Sequence, residues 1–169
     1  YYWVMGAPAL YVNGGIQTYP LNADSTAAAV TGRWATDPGF LVDVAADPAA
    51  GASVPVTVTL TPLVDRDLAG TVLYVALYEN LITYASAPGN NGQTVFHHMF
   101  RDRIDVPPAL GALVAGQPVV HEFALNRGSA DPANVTVVAF VQRVADRVVL
   151  QAGSNRPEVP SAAELGGAR

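Results

Sequence analysis

Val54, Val56, Val58 and Leu60 alternate with Pro55, Thr57, Thr59 and Thr61. That period of two predicts a strand with one face in a core and the other in water. Pro55, which has no N–H to give a ladder, predicts an edge or a bulge at the strand's start. Thr71 to Glu79 is apolar on both faces, the pattern of a central strand covered on both sides. Further strands are predicted at Phe40 to Ala46, Thr94 to Ile104, Val119 to Leu125, Val135 to Arg143 and Arg147 to Gln151. Between them lie Asp47-Pro48, Pro88 to Gly92, Pro107-Pro108 and Gly128 to Pro132, all turn chemistry. Short strands separated by turns, with no helical period among them, predict an antiparallel immunoglobulin-like β-sandwich over residues 38–153.

Ahead of Asp37-Pro38-Gly39 the pattern is mixed. Ala9 to Val12 predicts a strand, Asn13-Gly14-Gly15 a tight turn, and Ile16 to Tyr19 the partner strand. Asp24 or Ser25 is placed to cap a helix running to about Ala35. Ala27, Val30 and Trp34 recur at i, i+3 and i+7 and predict one buried stripe, with Gly32 weakening the last turn. Residues 1–37 therefore form a separate segment. Residues 154–169, rich in Pro, Gly, Ala and Ser, predict an extended or mobile tail.

At 169 residues and 50% hydrophobic, the chain can bury a core without disulfides or a structural metal, and it has no Cys. All nine basic residues are Arg; against ten Asp and four Glu they leave a formal charge of −5. No basic stripe exists, which argues against a nucleic-acid groove or an anionic-membrane patch. The longest apolar run, Val72 to Tyr78, is far shorter than the ~20 residues that cross a bilayer. No charged and apolar leader pattern follows Tyr1, so any targeting segment is expected outside these residues. A cysteine-free chain suits periplasm and cytosol equally, so composition does not assign a compartment.

Any metal or acid–base site must draw on His97, His98 and His121, the chain's histidines. Adjacent strand residues point to opposite faces, so His97 and His98 reach one ion only across a bulge. Phe96, His98 and Phe100 share a face; if it is the core face, His98 is a half-buried histidine held by a hydrogen bond. His121 shares its face with Phe123 and Leu125. Glu79 closes an apolar strand, where an unpaired carboxylate is costly to bury. Its expected partner is Arg101 or His98, which makes Glu79, His98 and Arg101 a structural polar cluster with no metal and no cofactor. The run Arg101-Asp-Arg-Ile-Asp105 alternates in sign and predicts a solvated strand end. Neither a nucleophile elbow nor a phosphate-binding glycine loop is present. Asn134-Val-Thr136 fits a glycosylation sequon, but its place at the start of a strand discounts it. Aromatics gather at Tyr1-Tyr2-Trp3, with Tyr11 and Tyr19 nearby.

Tyr2-Trp-Val-Met-Gly-Ala-Pro-Ala-Leu-Tyr-Val-Asn-Gly14 resembles the stretch of a thioredoxin fold that passes through its cis-proline into the third and fourth strands. The helix that follows is similar to the last helix of that fold. The resemblance implies a cis bond between Ala7 and Pro8. Leu77-Tyr-Glu-Asn80 and Phe96-His-His-Met-Phe-Arg101 resemble the C-terminal half of the thioredoxin-like outer-membrane protein family often called outer-membrane protein 28. Members join a thioredoxin-like domain to an immunoglobulin-like one and are exported to the periplasm or cell surface. The resemblance covers most of residues 2–152. It departs from the pattern at the redox C-x-x-C, because a chain without Cys has no thiolate for disulfide exchange. It implies a non-catalytic interaction or assembly module; the alternative is the C-terminal part of a thiol-disulfide oxidoreductase whose cysteine half lies elsewhere. Ala9 to Tyr19 carries no charge to blunt an open strand edge. Another subunit, or residues upstream, is therefore expected to cover the N-terminal segment.

Overall fold

The period-two segments become strands, and the turns fall where Gly, Pro, Asn and Asp gather. A computed structural model describes residues 10–14, 16–18, 22–34 and 36–156. Pro8 with its expected cis bond, Tyr1-Tyr2-Trp3, Tyr19 and residues 157–169 lie outside them. In chain order the elements are β1 (Leu10–Val12), β2 (Ile16–Thr18), α1 (Ala23–Trp34), β3 (Phe40–Ala46), β4 (Ser53–Pro62), β5 (Arg66–Asp67), β6 (Thr71–Thr83), β7 (Val95–Arg103), β8 (Ala112–Leu113), β9 (Val119–Asn126), β10 (Val135–Arg143) and β11 (Val149–Ser154). β3 and β10 keep their predicted bounds. β11 starts two residues later than predicted, because Arg147 sits in the β10–β11 turn at φ 62°.

Two antiparallel sheets carry the fold, one ordered β3-β4-β9 and the other β11-β10-β6-β7. Val42, Val54, Val56, Val58 and Leu60 of the first meet Leu73, Val75, Leu77, Val137, Ala139 and Val141 of the second in one buried cluster. Burial of each such side chain contributes about 1.5–3 kcal/mol. A register slip of one residue would turn the whole set to solvent, so the alternation specifies the pairing as well as the strands.

Pro55 pairs with Ala124 in β4, the central strand of its sheet, and marks neither an edge nor a bulge. The last β3–β4 pair is Ala46 with Val56, so Pro55 lies one residue past the end of β3. Its carbonyl accepts from Asp47 N on that side. In a strand the N–H points the same way as the carbonyl, so the donor that Pro55 lacks faces a place with no strand partner. β6 is central, as expected, but it is not covered on both sides. Thr71, Leu73, Val75, Leu77 and Glu79 are buried, whereas Val72, Tyr74, Ala76 and Tyr78 are only half-buried.

The N-terminal segment forms the predicted hairpin, with Val12 opposite Ile16 and with Asn13 (φ 47°) and Gly14 (φ 71°) taking the left-handed turn conformation. Helix α1 begins earlier than expected. Asn22 is its cap, and the Asn22 Oδ1 accepts from Ser25 N at 2.9 Å. Asp24 and Ser25 therefore lie inside the first turn, where the Asp24 carboxylate complements the helix dipole. The expected buried stripe is also displaced. Ala27 is exposed and Val30 is 44% exposed, while Thr26, Ala29 and Arg33 form the less exposed stripe.

β11 approaches β3 so closely that a Cβ placed on Gly153 would collide with the Val42 carbonyl. Gly153→Ala is expected to lower stability by about 1–3 kcal/mol, read as a fall in the midpoint of denaturant unfolding; an unchanged midpoint would show that the two strands do not need this contact.

Candidate functional site

β10 stops pairing with β6 at Val135 opposite Glu79, so Asn80–Thr83 of β6 keep β7 as their strand neighbour. The β6–β7 hairpin thus projects past the sheet. At its base the β6–β7 register passes from Tyr78 opposite Phe100 to Leu77 opposite Asp102, which makes Arg101 an extra residue, a β-bulge. The bulge lets two successive side chains serve two sheets. Arg101 Nε donates to Glu79 Oε2 at 2.9 Å, and Arg101 Nη2 donates to the same oxygen. Asp102 Oδ2 accepts from Asn126 N, at the end of β9, at 2.6 Å.

Glu79 is 8% exposed. Its second oxygen, Oε1, accepts from Asn134 Nδ2 at 3.2 Å, and the same nitrogen donates to the Leu81 carbonyl at 2.6 Å. Thr136 Oγ1 donates to Asn80 Oδ1 at 3.0 Å. The sequon residues are therefore tied to β6, and the amide nitrogen that would carry a glycan is already engaged. Sequence reasoning did not identify Asn134 or Asp102 as part of this brace. Their one trace there was a polar residue beside an apolar strand, which is also the mark of a solvated end.

His98 does not join Glu79 and Arg101. Met99 stands opposite Glu79 and shares its face, so His98 lies on the other face of β7. It is exposed, has φ 52°, and sets its ring edge-on to Tyr78 with centroids 5.4 Å apart. Phe96 and Phe100 are on that outward face too, and Phe100 is 62% exposed. The expected core placement of these three residues is thus reversed, because it is half-buried Tyr78, not buried Leu77, that stands opposite Phe100. The His97 and His98 rings are 6.3 Å apart and tilted. Among the described residues no group of three or more His, Cys, Asp or Glu is arranged to hold a metal ion.

His121 lies opposite Val58 on the inward face of β9 and stacks on Phe123, with centroids 6.2 Å apart. Its Nε2 is buried without a hydrogen-bond partner among the described residues. Desolvation lowers its pKa below the ordinary 6.5.

The outward face of the four-stranded sheet carries the other concentration of side chains. Tyr74 and Phe140 stack at 5.2 Å, Tyr78 meets His98, and Tyr84 meets Phe96 edge-on at 5.7 Å. Leu81, Tyr84, Val95 and Met99 add further exposed apolar surface to the same hairpin.

Fold and site define a mainly β protein built on two open antiparallel sheets with a projecting, apolar hairpin. Neither a protein-family model nor a curated protein matches the chain. Among solved structures, HBP35 of Porphyromonas gingivalis is similar in fold, at a TM-score of 0.54 and 13% identity over 81% of this chain and 51% of HBP35. The chain thus spans about half the length of that protein. Two β-glucosidase structures from Kluyveromyces marxianus, one with glucose, match 71% of this chain and 14% of theirs. Their TM-scores of 0.28 and 0.29, at 13% and 12% identity, carry no argument.

Glu79→Gln is expected to lose about 1–3 kcal/mol of stability, the scale of hydrogen bonds to a charged group, measured by thermal or denaturant unfolding. Acidification tests His121. With a folded pKa below 6.5, this group's stabilising contribution is whole above the unfolded value. It is lost as pH falls through 6.5 toward the folded value, because the unfolded chain takes up the proton first. His121→Phe is expected to flatten the decline in stability between about pH 7 and 5.5; an identical pH profile would assign the decline to other groups.

Proposed function

We propose that this chain is a non-catalytic interaction or assembly module of an exported bacterial cell-envelope protein, located in the periplasm, the outer membrane or at the cell surface. The sandwich, read as immunoglobulin-like, offers its four-stranded face and β6–β7 hairpin to another protein subunit. The partner also covers the segment before residue 38, read as part of a thioredoxin-like fold. The family resemblance of Leu77 to Asn80 and Phe96 to Arg101, and the similarity in fold to HBP35, support the envelope reading. The division of strands between a β3-β4-β9 sheet and a β11-β10-β6-β7 sheet supports the immunoglobulin-like reading.

One observation carries the proposal: apolar and aromatic side chains crowd the outward, solvated face of β6 and β7, with Phe100 the most exposed of the aromatic rings among the described residues. An antiparallel sheet with one face in water ordinarily turns polar residues outward. Contiguous exposed apolar patches mark contact surfaces. Charge narrows the partner. In a chain of net charge −5, the outward strand positions of this face hold Arg103 and His98 and no carboxylate. The complementary surface is apolar at its centre and carries carboxylates at its rim.

A photo-crosslinking side chain placed at Phe100 or Val30 in the producing bacterium is expected to trap a protein partner, while the same group at Thr57 or Thr59, on the opposite sheet, is not. His98→Asp, on the same outward face, is expected to abolish trapping at position 100 with little change in thermal stability. Equal trapping from both sheets, or trapping that survives His98→Asp, would overturn the assignment of this face.

A further inference from the structure

Three of the chain's nine arginines line one cavity of about 230 Å³ where α1, β5 and the end of β10 come together. They are Arg33, Arg66 and Arg143, drawn from segments far apart in sequence, so the fold and not local composition gathers them. Like charges that line one small cavity repel one another unless negative charge offsets them.

The donors of these side chains are only partly used. Arg66 Nε donates to the Pro38 carbonyl at 2.9 Å and its Nη2 to the Asp37 carbonyl at 3.3 Å. Arg143 Nε pairs with Asp146 at 2.9 Å. Arg33 Nε is buried and has no hydrogen-bond partner among the described residues. A guanidinium in the last turn of a helix suits the dipole, but that role does not require a buried donor left unpaired, which costs about 1–3 kcal/mol.

Asp37 and Asp67 also line the cavity and offset part of this charge, but they do not satisfy the unpaired Arg33 donor. Asp37 Oδ1 accepts from Gly39 N at 2.7 Å and Asp67 Oδ1 from Ala69 N at 2.9 Å. Each carboxylate is thus held by its own turn, and neither forms an ion pair with Arg33, Arg66 or Arg143 among the described residues.

We infer that this cavity is a binding site for a small oxyanion, held by Arg33 with the free guanidinium donors of Arg66 and Arg143. Guanidinium groups match the geometry of carboxylate and phosphate oxygens and bind them through paired N–H donors. The volume is below that of cavities that enclose drug-sized ligands, which limits the guest to a small anion or to one carboxylate or phosphate group of a larger partner. Because the cavity joins the last turn of α1 to the sandwich, an anion there ties the N-terminal segment to the sheets.

The test is calorimetric titration of the full chain with inorganic phosphate and, separately, with acetate, at constant ionic strength set by sodium chloride. One equivalent of saturable binding is expected. Arg33→Gln is expected to weaken it at least tenfold. Arg143→Gln, which alters an exposed pair and leaves the core intact, is expected to weaken it as well. Arg156→Gln, outside the cavity, is expected to bind as the unaltered chain does. Circular dichroism of each variant establishes that it is folded. Tighter phosphate binding assigns a tetrahedral oxyanion, and tighter acetate binding assigns the carboxylate of a partner group; either carries the proposal. No saturable binding of either anion, or equal binding by Arg33→Gln and Arg156→Gln, overturns it.

Discussion

The inserted residue at Arg101 is the constraint on which the arrangement of the hairpin depends. Without it, strand alternation would send Arg101 and Asp102 to opposite faces, and only one of them could reach the interior. With it, Arg101 braces Glu79 while Asp102 holds the backbone of Asn126 in the other sheet. The two sheets are thereby linked at the β7–β9 side by a charge-assisted hydrogen bond, and at the other side by the close approach of β11 to β3 at Gly153. Bulges at sheet edges also twist the edge and discourage unwanted pairing with other chains.

The same bulge leaves the outward face of β6 and β7 with its present character. Tyr78, Phe100 and His98 face away from the core, and the aromatic pairs of that face contact one another without being enclosed. The brace below them is rigid and polar, since Glu79, Asn134 and Thr136 all commit their hydrogen-bonding atoms to neighbours. A projecting apolar surface on a fixed base suits recognition of a protein, because little conformational freedom remains to be lost on contact.

Similarity in fold to HBP35 at 13% identity speaks to architecture alone, and folds of this kind host many unrelated functions. Function has to be argued from surfaces, and two are present. One is apolar and broad, the face proposed to meet a protein partner. The other is small and lined with arginines, at the junction between the N-terminal segment and the sheets. Their chemistry is different, and either can be lost without the other.

Strand positions, the β1–β2 hairpin and the burial of Glu79 beside an arginine were legible in the sequence, because each depends on a local period, on turn residues or on the cost of an unpaired carboxylate. The alternation of Val54 to Leu60 was enough to name the core side of β4. What tertiary structure alone decided was direction and company. A strand carries no mark of which face its neighbours will bury, so Phe96, His98 and Phe100 read as inward until the register with β6 turned them outward. The apolar outer face of β6 read as covered, although periodicity reports what a side chain prefers and not what lies over it. Pro55 read as an edge because the end of β3 cannot be seen from β4. The helix cap moved to Asn22 because several residues near it can cap and only the path of the chain selects one. The meeting of Arg33, Arg66 and Arg143 has no sequence signal at all, since it depends on where the ends of α1, β5 and β10 come together in space.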